Sequence, residues 1–91
     1  MELNVELLRR LCETPGAPGR EERIRKLVIE VLKPLCEEVS TDALGNVIGI
    51  RRSRVSGSGK PQRLMLSSHM DEISFLATHV DDSGFIRFTP L

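Results

Sequence analysis

His69, Asp71 and Glu72 crowd into the stretch Ser67-Ser68-His69-Met70-Asp71-Glu72-Ile73, directly after the apolar run Leu64-Met65-Leu66. Imidazole and carboxylate groups are the side chains that hold divalent metal ions and move protons near neutral pH. An apolar run without polar alternation predicts a strand covered on both faces over Arg63 to Ser68. The carboxyl ends of such strands are where α/β proteins place their sites. If the extended backbone continues through the cluster, alternation puts His69 and Asp71 on one face and Met70 and Glu72 on the other. Asp71 then accepts a hydrogen bond from one ring nitrogen of His69, which fixes the tautomer and strengthens the other nitrogen as a metal donor. A lone histidine near a strand end is more often structural than metal-binding, so spacing alone leaves both roles open.

The rest of the chain adds few donors. His79 lies ten residues beyond His69, roughly 33 Å along a continuous strand, too far for both to share one metal. Asp81 and Asp82 suit the early positions of a β-turn. A catalytic zinc site needs about three protein ligands and a two-metal site more, a count this chain does not reach. There is no Gly-x-Ser-x-Gly elbow, no CxxC pair and no glycine-rich phosphate loop, and Cys12 and Cys36 read as reduced, buried thiols.

These residues need elements to position them. Asn4 caps a helix predicted through Glu13, with Val5, Leu7, Leu8, Leu11 and Cys12 on one face. The prolines and glycines of Thr14-Pro15-Gly16-Ala17-Pro18-Gly19 end it. Ile24, Leu27, Val28, Val31, Leu32 and Leu35 form the apolar stripe of a second helix from Glu21 to about Lys33, broken by Pro34. Strands are expected at Glu38 to Asp42 and Val47 to Ile50, joined as a hairpin through Gly45 and Asn46. Arg51 to Pro61 reads as an exposed basic and Gly/Ser-rich loop. Two further strands, Ile73 to Val80 and Phe85 to Thr89, flank the turn Asp81 to Gly84.

A length of 91 residues, a formal net charge of zero and 40% hydrophobic residues describe a soluble globular chain with a thin core. The neutral balance gives no pull towards nucleic acid or anionic lipid. Charges interrupt every turn of the first helix, so no signal peptide or membrane span is expected, and the expected location is the cytoplasm.

Taken in order, four features resemble the M42 family of metallo-aminopeptidases: the early Pro-Gly loop with its Glu-rich helix start, Thr41-Asp42-Ala43-Leu44-Gly45-Asn46-Val47-Ile48, Leu64 to Ile73, and Gly84-Phe85-Ile86-Arg87-Phe88. The resemblance implies an α/β fold: the N-terminal part of an α/β/α two-metal exopeptidase catalytic domain, two helices then a mostly β segment. It places residues 1–73 in that domain and 74–91 in the first strands of an inserted β-rich domain. His69 matches a metal-ligating histidine and Asp71 the aspartate that supports it, while Glu72 matches a motif position without a transferred role. Two divalent metal ions, zinc or cobalt, are implied for the intact family, with at most one weak partial site here. Implied also are a peptide substrate cut at its free amino terminus and a homo-oligomer. The family's other ligands and its general-base glutamate are expected downstream, which makes this chain a fragment, inactive alone. Where the family pattern usually has glycine after Asp-Glu-Ile, this chain has Ser74.

Two other readings remain. One keeps the hydrolase class as a related two-metal deacylase or carboxypeptidase; a glucanase would need a facing carboxyl pair that nothing here identifies. The other is a non-catalytic, self-associating α/β fragment, motivated by strands with unpaired edges.

Overall fold

The computed structural model describes residues 2–55, 57 and 59–91. In chain order they form helices α1 (Val5–Glu13) and α2 (Glu22–Leu32), then strands β1 (Glu38–Thr41), β2 (Val47–Ile50), β3 (Phe75–Val80) and β4 (Ile86–Pro90). This is a mixed α/β chain, and its sheets are two separate antiparallel pairs, β1 with β2 and β3 with β4. The chain divides into two compact units, one of residues 1–24 and 70–91, the other of residues 25–69.

In the first unit, the Asn4 side chain caps α1 by accepting the Leu7 N–H at 2.9 Å. At the other end Thr14, in extended conformation, donates its backbone N–H to the Arg10 carbonyl. No residue of α1 is fully buried; of the apolar face read from its spacing, Leu7 and Leu11 are half-buried and Val5, Leu8 and Cys12 are exposed. The loop that follows turns tightly at Ala17-Pro18-Gly19-Arg20, where the Arg20 N–H reaches the Ala17 carbonyl at 2.8 Å. Proline at the second position and glycine with φ 78° at the third are what a type II turn requires. The turn delivers the chain into α2, whose Ile24 is 3% exposed.

The same unit holds the β3–β4 hairpin. Its register shifts between Ala77 and His79, so Thr78 is an extra residue in β3. The Thr78 hydroxyl donates to the Arg87 carbonyl at 3.2 Å. Phe75 and Phe88 meet edge to face with centroids 5.0 Å apart. Both rings stay exposed, as do Leu76, Val80, Phe85 and Ile86. The hairpin therefore holds its shape by ladder bonds and one aromatic pair rather than by burial.

In the second unit the stripe of α2 buries Leu27, which is 6% exposed, and leaves Val28, Val31 and Leu32 half-buried. The hairpin β1–β2 packs closely on this side: a side chain on Gly49 would meet Cys36 Sγ at 2.9 Å and Leu32 Cδ1 at 3.4 Å. Arg25 fixes the tip by donating from Nε to the Gly45 carbonyl at 2.9 Å. At the open end, Glu37 and Glu38 take the Arg52 backbone N–H and guanidinium respectively.

The two hairpins share one turn chemistry. The backbone N–H of Gly45 bonds the Asp42 carbonyl at 3.1 Å and that of Gly84 bonds the Asp81 carbonyl at 3.1 Å. Both glycines have positive φ, 87° and 85°, the type I turn with a left-handed residue that closes a short hairpin. The aspartate at the head of each turn accepts two backbone N–H groups on Oδ1, from Leu44 and Asn46 at Asp42 and from Ser83 and Phe85 at Asp81. Only the glycine takes the left-handed conformation; Asn46, which follows it, does not.

One expected element is missing. Arg63 to Ser68 forms no strand, and Leu64, Met65 and Leu66 are 86%, 85% and 88% exposed rather than covered on both faces. A strand exists as one side of a ladder, and the two hairpins present among the described residues do not take this segment in. Within the expected loop Arg51 to Pro61, Ser56 and Ser58 lie outside the described residues. Among the described residues no helix is long and apolar enough to cross a membrane.

Two predictions follow from the β1–β2 hairpin. Gly45→Ala imposes a left-handed backbone on a residue with a Cβ, which would also lie 2.6 Å from Arg25 Nη2. The expected loss is about 1–2 kcal/mol in denaturant unfolding, larger than for Gly57→Ala, whose added Cβ meets nothing within 4 Å. Asp42 is held below its ordinary 3.8 by the Asn46 side chain and then the Asn46 backbone N–H, and Glu37 below its ordinary 4.5 chiefly by the Arg52 N–H. Both are depressed, so their contribution is fully present above those ordinary values and is lost as pH falls through the lower folded values. Amide signals of β1 and β2 are expected to hold from neutrality to about pH 5 and to change in stronger acid, with a smaller change in Asp42→Asn.

Candidate functional site

The residues with chemical potential follow the Leu64-Met65-Leu66 run in sequence and precede β3. His69 and Glu72 are exposed, and Met70 and Asp71 are half-buried. The segment from Met70 onward is anchored at its backbone. Glu72 N–H donates to the Gly16 carbonyl at 2.9 Å, and the Ser74 carbonyl accepts the Leu91 N–H at 3.0 Å. The Ser74 hydroxyl turns back to the Glu72 carbonyl at 3.2 Å, so this side chain is satisfied locally. Asp71 directly precedes the first of these ties, and Met70 separates it from His69.

The other residues weighed from sequence go elsewhere. His79 pairs with Arg87 across the β3–β4 ladder. Asp81 heads the β3–β4 turn and spends its Oδ1 on two backbone N–H groups, as a structural turn residue does. Ser67 and Ser68 are exposed and lie outside any helix or strand. Cys12 and Cys36 are free thiols, Cys12 exposed and Cys36 half-buried beside Gly49, so burial of both is not what the fold provides. Among the described residues, no group of three or more His, Cys, Asp or Glu side chains is arranged to hold a metal ion. The donor chemistry of His69 fits one ligand position, and the described residues do not complete a site around it.

Gly16 is the participant that sequence reading left out. Its loop was legible as a helix stop, but its partner Glu72 lies in a distant part of the chain, and no local pattern announces such a pairing.

Comparison with known proteins places this arrangement. The sequence profile described as M42 glutamyl aminopeptidase matches residues 45–91, the stretch that includes His69 to Glu72 and both strands of the second hairpin. FrvX of Escherichia coli (strain K12) is 36% identical over 89 residues, covering 98% of this chain and 23% of FrvX. The lysyl aminopeptidase of Pyrococcus furiosus is 37% identical over 87 residues, covering 94% of this chain and 23% of that enzyme. The glutamyl aminopeptidase of Lactococcus lactis is 28% identical over 91 residues, covering 100% of this chain and 24% of its own length. The chain spans about a quarter of the length of these curated relatives. With more than half of its residues matching the family profile and similarity to aminopeptidases running along nearly its whole length, this chain belongs to the M42 glutamyl aminopeptidase family.

Proposed function

We propose that this chain supplies the amino-terminal part of a metal-dependent aminopeptidase that removes residues from the free amino end of peptides. The observation that carries the reading is the position of His69-Met70-Asp71-Glu72: inside the family-matched segment and tied by backbone hydrogen bonds on its carboxyl side. In this reading His69 is a metal ligand and Asp71 its carboxylate support, with zinc or cobalt as the ion. Divalent ions in such a site supply an activated water and stabilise the oxyanion of the peptide carbonyl. The chain's own part is to present one imidazole at a defined place and to hold the carboxylate next to it. The remaining donors belong to polypeptide that the longer relatives have and these residues do not include, and assembly into a homo-oligomer in the cytoplasm is part of the same proposal.

A second reading has one observation in its favour. Phe75, Leu76, Val80, Phe85, Ile86 and Phe88 are all exposed on a two-stranded sheet, an arrangement that is marginal alone and open to pairing with another copy. A non-catalytic, self-associating module would use that hairpin and leave His69 without a role.

Metal titration separates the two. Calorimetry with zinc or cobalt is expected to show weak binding that disappears in His69→Ala and weakens about 10- to 100-fold in Asp71→Asn. Equal isotherms for the unmodified chain and His69→Ala would reject His69 as a ligand. The polypeptide of residues 1–91 alone is expected to release no amino acid from peptide amides with either metal added. Release abolished by His69→Ala would show that it carries a working site after all.

A further inference from the structure

We infer that Gly16 is a positioning residue for His69 and Asp71, an inference that rests on the metal-ligand reading of His69. Gly16 is buried; its carbonyl bonds one neighbour of Asp71, and the place of its missing side chain faces the other. Its carbonyl accepts the Glu72 N–H at 2.9 Å. A Cβ added to it would lie 3.2 Å from the Met70 carbonyl oxygen and 2.9 Å from Ile24 Cγ2. Met70 follows His69 directly, so the carbonyl that Gly16 faces belongs to the residue between the proposed ligand and its support.

The glycine serves close approach rather than backbone conformation. The glycines with positive φ are Gly19, Gly45, Gly59 and Gly84, and Gly16 is not one of them, so alanine is conformationally permitted there. What alanine brings is volume in a place with no slack. On one side stands Ile24, 3% exposed on a helix. On the other stands a backbone carbonyl, which cannot swing aside as the end of a long side chain can. Against that carbonyl, relief comes from separating the loop from residues 70–72 by a few tenths of an ångström. A metal constellation tolerates misplacement of only about 0.5 Å, so a displacement of that order reaches the donor.

The test is made on the metal-free protein by NMR, so its failure is distinct from failure of the metal reading, which the titration of His69→Ala decides. In the unmodified chain, the Glu72 amide is expected to exchange with deuterium at least about tenfold more slowly than an unstructured amide. Gly16→Ala is expected to shift the Glu72 amide and the His69 ring signals while leaving the His79 ring signals in place. Gly57→Ala, with nothing within 4 Å of its added Cβ, is the control and is expected to shift none of them. A folded Gly16→Ala with unaltered Glu72 and His69 signals overturns the inference. If that variant does not fold, exchange in the unmodified chain decides: protection of the Glu72 amide upholds the contact, and an unprotected amide overturns it.

Discussion

The hydrogen bond from the Glu72 N–H to the Gly16 carbonyl is the constraint on which the candidate site depends. A single backbone bond is worth only about 0.5–1.5 kcal/mol net, and its importance lies in where it acts rather than in its strength. It joins the loop between α1 and α2 to the chain just beyond His69 and Asp71, with Ile24 packed behind the loop. Three features converge on it: a proline-rich turn that ends one helix, a glycine small enough for close approach, and a buried isoleucine that backs the glycine.

Around that constraint the structure is governed by local forces. The two hairpins form because an aspartate, a type I turn and a left-handed glycine satisfy the turn without help from a core. Burial is scarce by comparison: Ile24 and Leu27 are the buried apolar side chains among the described residues, while Leu64 to Leu66 and the aromatic side chains of β3 and β4 face solvent. Local chemistry is complete in these residues, and the large apolar surfaces stay exposed. That division agrees with a chain matching about a quarter of the length of its relatives.

The same division describes the chemistry. The family assignment rests on sequence similarity spread along nearly the whole chain, and within it the backbone is tied at Glu72 and Ser74, just after His69 and Asp71. A complete metal site is a long-range object, gathered from donors far apart in sequence. Among the described residues no group of three donors comes together.

Read by itself, the sequence determined what is periodic or short-range. The Asn4 cap, the α2 stripe, both hairpins and the turn role of Asp81 follow from residue type and spacing within a few positions, because capping, amphipathicity and turn geometry are settled by near neighbours. The ordered motifs also carried the family. Tertiary structure decided three other matters. It left Arg63 to Ser68 without a ladder, inserted Thr78 as a bulge that resets the register of β3, and brought Gly16 against Met70 and Glu72. Each depends on which distant backbone comes alongside, and hydrophobicity and propensity along one segment hold no information about the partner that must supply the other half of a hydrogen bond.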